Sequence, residues 1–392
     1  MLRICKLSAI ILVLLSQTGC WDRREVNDVA FVIGSAFDKE KDKLRVALQV
    51  ALPGQQGGAG SKGGGGGTSG DQSYFMQSDT GNSVREINNR QQLANSRQLY
   101  FAHRRVVLIG EELARSGLEP VMDVLGRVPQ NRLTSYVVIT EDKAEKVLET
   151  NVPVEKYPGE LIRELAVNAM RNPRSVKHAL NAMLTEGIDL AVPYVSLTKN
   201  KGGTTPKIVK IQGLSVFHDN KLAGFLKGDQ SSMALMLMQE AKTPEFTLPA
   251  PQGTGSITVR VEEYSTDKQP SIKRGKIGFD INIKGRGLVV ENESTMQLST
   301  ESQLVKLEKA LNAKLKSDTV KSLHALQKKY NSDVIGLGQA LHLKEPTKWP
   351  RYKDWHSHFP GVETEIHPHI IIENVGQVIK PLGRRDKELK HD

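Results

Sequence analysis

Both cysteines of this 392-residue chain, Cys5 and Cys20, lie within its first twenty residues. No intrachain disulfide can therefore brace the rest, which must hold together by core packing alone. The same segment carries the one uninterrupted apolar run. Arg3 and Lys6 give a positive start, Leu7 to Leu15 a short apolar stretch, and Ser16-Gln17-Thr18-Gly19 a small, polar end directly before Cys20. That order is the order of an export signal, and the run is too short for a comfortable membrane helix. Small residues ahead of a cysteine suit a bacterial lipoprotein signal over 1–19, with Cys20 acylated as the new N-terminus. Position −3 is Gln17, where an aliphatic residue is usual. A plain secretory signal with an incidental cysteine and a retained N-terminal anchor stay open as other readings of the residues. Membrane lipid would be reached through the acylated Cys20, and two or more acyl chains anchor firmly where one is marginal.

Composition excludes several classes. Apolar residues at 38% and charged residues at 25% supply real cores, which rules out wholesale disorder. The length suggests two or three domains. The net charge of +10 suits an anionic membrane surface as well as nucleic acid. With no Lys/Arg stripe interleaved with aromatics, a nucleic-acid partner is not expected. Ten of the 34 glycines fall between Gly54 and Gly70. That stretch has almost nothing apolar and reads as a flexible loop inside a domain, because strand-like sequence resumes at Tyr74. Lys62 among those glycines does not make a phosphate loop: Ser61 precedes it and Gly63 follows.

Along the chain, Ala30 to Ala36 and Leu44 to Leu52 read as strands around a charged loop, Asp38 to Lys43. Ser83-Val84-Arg85-Glu86 is a capping box opening a helix to about Ala94. Arg104 to Gly110 is a buried-type strand, Glu111 to Leu125 an interrupted helical stretch, and Thr134 to Thr140 a second strand. Their spacing predicts a parallel βαβ unit. Helices follow over Gly159–Arg171 and from Ser175 to Gly187. Lys199 to Pro206 is polar and aperiodic, the best candidate for a domain boundary. Beyond it come a hairpin around Asp219-Asn220 and a helix over Gln230–Glu240, whose Met233, Met236 and Met238 suit core filling. A strand follows with Ile277, Phe279, Ile281 and Ile283 on one face, bent at Gly285-Arg286-Gly287. The clearest helix is Glu301 to Tyr330, boxed by Thr300 and Gln303, with Leu304, Leu307, Leu311, Leu315, Leu323 and Leu326 as its stripe. Trp349, Tyr352, Trp355 and Phe359 precede a last strand, Val362 to Glu373.

The fold class expected is α+β: consecutive domains of mixed β-sheet packed with helices, with no transmembrane helix in the mature chain. An N-terminal α+β domain over 20–199 contains the 54–70 loop. A C-terminal α+β region over 200–380 has an optional subdivision near 250, and 381–392 is a frayed tail. Chemistry is sparse. His356, His358, His367 and His369 are the only group with metal-ligand character, and His367 and His369 share a strand face with Pro368 between them. No cysteine is near, so they are read as surface histidines and no metal is expected. Gly336-Leu337-Gly338 lacks the third glycine of a dinucleotide fingerprint. Glu262-Glu263 would face opposite ways on a strand. No catalytic residue and no cofactor are assigned. These residues alone describe an exported, lipid-anchored, multidomain α+β protein.

The string Cys20-Trp21-Asp22-Arg23-Arg24-Glu25-Val26-Asn27-Asp28 after such a signal resembles the mature start of the Ger(x)C family, the C subunits of GerA-type nutrient germinant receptors of endospore formers. The resemblance continues through Arg104-Arg105-Val106-Val107-Leu108-Ile109-Gly110, Gln212-Gly213-Leu214-Ser215-Val216-Phe217 and the region from Trp349 to Gly376. It implies a lipoprotein on the outer face of the spore inner membrane. It also implies two integral-membrane partner subunits and a non-enzymatic role as scaffold in the response to amino acids or sugars. A lipid-anchored envelope binding protein or hydrolase is the alternative class.

Loop closure depends only weakly on loop length, and glycine carries the largest ordering cost. Deleting about ten residues from Gly54–Gly70 should therefore leave the melting temperature within a few degrees. A large loss, read by calorimetry, would mean that the segment packs or binds.

Overall fold

The computed structural model describes residues 28–52, 73–150, 155–200, 202 and 207–376. Residues 1–19, read as an export signal, together with Cys20, the Gly54–Gly70 segment and the 381–392 stretch lie outside them. Strands β1 (Val29–Glu40) and β2 (Lys43–Ala51) form the first hairpin. The charged stretch expected as a loop is mostly strand: Asp38 is buried and accepts from Ala144 N and Glu145 N, and Glu40 pairs with Arg45 across the hairpin and with Lys143. Only Lys41-Asp42 is left to turn, with Lys41 at φ 56°.

The elements β3 (Tyr74–Gly81), α1 (Val84–Leu93), β4 (Gln98–Tyr100), β5 (Val106–Gly110), α2 (Glu111–Ser116), α3 (Glu119–Arg127) and β6 (Tyr136–Thr140) follow. After them come α4 (Ala144–Leu148), α5 (Pro158–Ala169), α6 (Val176–Leu184), β7 (Ala191–Lys199), β8 (Lys207–His218) and β9 (Lys221–Lys227). The strands make one sheet in the order β3-β2-β1-β5-β6-β7-β8-β9, with β4 also paired to β1. Its centre is parallel, β1 to β5 to β6 to β7, and its flanks are antiparallel. The expected βαβ unit is β5, α2–α3 and β6. Central strands read as unbroken apolar runs because helices cover both faces. Val107 and Ile109 pack with Leu113 and Val121, while Val106 and Leu108 pack with Ile162 and Ala166.

The polar Lys199–Pro206 stretch connects β7 to β8, which are antiparallel neighbours in this same sheet. The strands just past it, Lys207–His218 and Lys221–Lys227, thus complete the first sheet. The alternating run from Ile208 to Phe217 needs a partner, and the nearest open edge is β7.

The second layer set starts with α7 (Gly228–Leu237). Strands β10 (Glu245–Pro249), β11 (Ser256–Lys273) and β12 (Lys276–Asn292) then form an antiparallel meander. Arg274 and Gly275 turn β11 into β12 with φ of 51° and 80°, the two-residue turn that matches strand twist. Pairing slips at Val261/Glu263 and at Gly287/Leu288, so the Gly285-Arg286-Gly287 bend is a bulged region. Helix α8 (Glu301–His324) continues as a π-helical segment, Ala325–Tyr330, and stops at left-handed Asn331. Then come α9 (Leu337–Lys344), α10 (Trp355–His358) and β13 (Glu363–Asn374), which adds parallel to β12. Among the described residues, no helix is long and apolar enough to cross a membrane.

The capping box of α8 is present: Gln303 N donates to Thr300 Oγ1 at 3.4 Å, and Thr300 N to Gln303 Oε1 at 3.2 Å. Its stripe Leu307, Leu311, Leu315 and Leu323 is buried, with Met233, Met236, Phe279 and Ile281 in the same core. The helix also covers the sheet edge. Ile370 N donates to Asn312 Oδ1, Asn312 Nδ2 to Ile370 O, and Ile372 N to Glu308 Oε1. Those bonds occupy strand groups that would otherwise invite another chain.

Leu311 is fully buried, whereas Leu343 on α9 is 75% exposed. Leu311→Ala should cost about 2–5 kcal/mol in chemical denaturation, and Leu343→Ala within about 0.5 kcal/mol of nothing. Equal costs would contradict this packing.

Candidate functional site

The two sheets are joined by a buried polar junction built from four separate stretches. Asp189 lies in the loop between α6 and β7. His218 ends β8 and Asp219 begins the turn to β9. Asp333 follows α8, and His356 sits on α10.

Asp333 is the centre, fully buried. Its carboxylate accepts from Leu337 N at 3.1 Å and Gly338 N at 2.8 Å, the first turn of α9, and from Trp355 Nε1 at 2.8 Å. Burial pushes its pKa up to about 6, against the three N–H donors, which favour the charge. The loop and helix come together because glycines let backbones touch. Gly187, at φ 76°, would place a Cβ 2.5 Å from the carbonyl carbon of Gly338, and a Cβ on Gly338 would lie 2.7 Å from Trp355. Gln339 N donates to Gly187 O at 2.7 Å. The paired glycines of Gly336-Leu337-Gly338 therefore serve close packing and a left-handed helix start.

Asp189 is also buried. It accepts from Asp333 N at 2.7 Å and Asp219 N at 3.1 Å, and His356 Nε2 lies 3.0 Å from both of its oxygens. That bond raises the His356 pKa, with burial opposing it. His356 Nδ1 is 3.4 Å from Asp219 Oδ1. The His218 ring lies 4.0 Å from the His356 ring, centroid to centroid, and its Nδ1 is 2.6 Å from Asn331 O. Ser332 Oγ donates to Phe217 O, and Asn331 Nδ2 to His356 O at 3.0 Å. Lys268 reaches in from β11 to the carbonyls of Leu237 and Ile335, its pKa lowered by burial. A cleft of about 410 Å³ opens beside the junction, lined by 182–189, Asp219 and 353–356.

Two of the four histidines singled out in the sequence keep their expected setting. His367 and His369 are exposed on one face of β13, with His367 Nε2 3.8 Å from both Asp280 and Glu365. His358 packs edge-on against Tyr352. His356 departs from the surface reading: it is partly buried and bonded inward, because α10 lays it against a loop 167 residues earlier. Cys20 lies outside the described residues. Sequence reasoning passed over Asp189, His218, Asp219 and Asp333 as site residues; only the Asp219-Asn220 turn was visible, as a turn. Glu262-Glu263 lies on β11, where Glu263 pairs with Arg286.

This two-sheet body is of a kind already seen in a crystal. The GerBC protein structure matches at a TM-score of 0.58 with 21% identity, covering 87% of this chain and 97% of that one. Sequence profiles described as "Spore germination protein N-terminal domain" and "Spore germination B3/GerAC like, C-terminal" match residues 22–197 and 212–376. YfkR of Bacillus subtilis (strain 168), which carries a spore-germination name, is 37% identical over 97% of this chain and 98% of its own. Spore germination protein KC of the same organism is 29% identical over 100% of this chain and 99% of its own. The class is thus a two-part α+β spore germination protein. The chain belongs to the Ger(x)C family that its sequence resembles.

The two shifted groups at the junction point the same way. A histidine raised above its ordinary 6.5 gives stability that is complete below 6.5 and lost as pH rises through its folded value. Asp333, raised from 3.8 to about 6, loses stability as pH rises between those values. The stability difference between wild type and His356→Gln, from urea midpoints, should be largest below pH 6.5 and shrink above it. A difference that grows with pH would contradict the Asp189–His356 bond.

Proposed function

We propose that this chain is a lipid-anchored, non-enzymatic subunit of a spore nutrient germinant receptor. It is held through diacylated Cys20 on the outer face of the spore inner membrane and offers interaction surface to two integral-membrane partner subunits. The observation that carries this reading is family membership over nearly the whole chain. The described body adds support. Among its described residues no helix is long and apolar enough to cross a membrane, and in this reading Cys20 and the lipid it would carry provide the attachment. The acidic groups at its centre are bonded inward to backbone N–H groups and an indole, an arrangement that holds two sheets in fixed relation. Such a body suits a scaffold that keeps binding surfaces at a set height above a membrane.

Replacing Cys20 by Ala should release the protein from membrane fractions or block its processing, read by fractionation and mass spectrometry. An unmodified Cys20 in the membrane fraction would overturn the anchor. Deleting the protein should abolish germination with one nutrient class and leave germination by non-nutrient triggers intact. If His367→Ala, at an exposed position, left the protein abundant and folded but inactive, the scaffold reading would give way to a catalytic or binding one.

A further inference from the structure

The hydrogen bonds of the junction fix which nitrogen of each histidine is engaged and which is left over. A backbone carbonyl can only accept, so the 2.6 Å contact between His218 Nδ1 and Asn331 O places a proton on Nδ1. The Nε2 of His218 is then the nitrogen with the free lone pair. The Asp189 carboxylate likewise accepts, so the two 3.0 Å contacts to His356 Nε2 place a proton there. In the neutral ring the lone pair of His356 is then on Nδ1. Both of these nitrogens lie near one carboxylate. His356 Nδ1 is 3.4 Å from Asp219 Oδ1, and His218 Nε2 is 3.9 Å from Asp219 Oδ2. Two such nitrogens and a carboxylate can share one cation, either a proton on His356 Nδ1 or a metal ion.

We propose that His218 Nε2, Asp219 and His356 Nδ1 form a site for one divalent transition-metal ion of the zinc class. Two nitrogens and a carboxylate are the donors that borderline metals take. One ligand atom from each residue lies within 4.8 Å of the other two. Zn–N and Zn–O bonds of about 2.0–2.2 Å set tetrahedral ligand atoms roughly 3.4 Å apart, so a small closing movement suffices. The surroundings match the second feature of metal sites: each histidine gives its other N–H to a carboxylate or a carbonyl, which fixes ring and tautomer. Asp189 and Asn331 O do this here. The remaining charges agree. Asp189, Asp219 and Asp333 face His356 from three elements, with Lys353 at the cleft rim and Lys268 behind Asp333. The Asp219 side chain is 70% exposed, and the adjoining cleft gives an ion access and space for water at an open position. This site lies apart from the receptor role proposed above and would bind whatever that role proves to be. Its consequence is mechanical: the ion would tie the β8–β9 turn of the first sheet to α10 of the second body.

The test uses the full chain, purified in detergent and stripped with a chelator, then titrated with Co²⁺ alone and followed by its visible d–d bands. One equivalent should bind and be displaced by Zn²⁺, and Zn²⁺ should raise the melting temperature. Asp219→Asn keeps a residue that tolerates the φ of 54° at this turn, so its melting temperature in chelator should stay near wild type. Its metal affinity should fall at least 10-fold. His218→Gln should do the same. Asp189→Asn, which removes the positioning partner, should cost about 10–100-fold. His367→Gln should change nothing. The proposal is overturned if wild type binds no Co²⁺, in which case the cation between these groups is a proton on His356. It is also overturned if Asp219→Asn and His218→Gln bind as wild type does, or if His367→Gln abolishes binding and so moves the ion to β13. If Asp219→Asn does not fold, His218→Gln and the wild-type titration still decide.

Discussion

A carboxylate with no exposure to water holds this molecule together. Asp333 is costly to bury, and what offsets that cost is a set of donors drawn from two different segments: the first turn of α9 and the indole of Trp355. Its own backbone then engages Asp189, which engages His356 and the β8–β9 turn. Each bond constrains the next, so the second body has one seating against the first. Removing a partner leaves a buried charge or several unpaired donors, which is why such networks tend to specify a single arrangement more than they add stability.

Packing around that centre follows the same economy. Glycines at 187 and 338 allow the backbone approach that brings donors within reach of Asp333. Helix α8 has two tasks at once. Its leucine face fills the core of the second body, and its Asn312 and Glu308 complete the edge strand β13. A long two-sheet chain without disulfides is held by these features and by the doubly covered parallel strands of the first sheet.

Much of this was legible in the residues. The caps at Ser83 and Thr300 carry side-chain oxygens three residues from the backbone N–H groups that donate to them, so the signal is local. The leucines of α8 recur at helical spacing, and Ile277, Phe279, Ile281 and Ile283 alternate, so their buried faces follow from geometry alone. The string from Cys20 to Asp28 pointed to the family, which the full-length relatives bear out. Less legible was the Asp38–Lys43 stretch: its charges looked like a loop, but Asp38 is buried against the start of α4 and Glu40 reaches Arg45 across the hairpin. The polar break at Lys199–Pro206 links β7 and β8, whose pairing no local signal announces.

What the sequence determined by itself was the family and many of the longer elements with their buried faces, β5, β12 and α8 among them; β7, β11 and α9 were not read from it. These depend on residues within a turn or a strand of each other. What the tertiary structure alone decided was which strands share a sheet and which polar groups meet. Asp189 and Asp333 are 144 residues apart, and Asp189 and His356 167. No periodicity or spacing rule links residues so distant. Their pairing exists because a buried charge must find donors, and only the folded chain brings those donors to it.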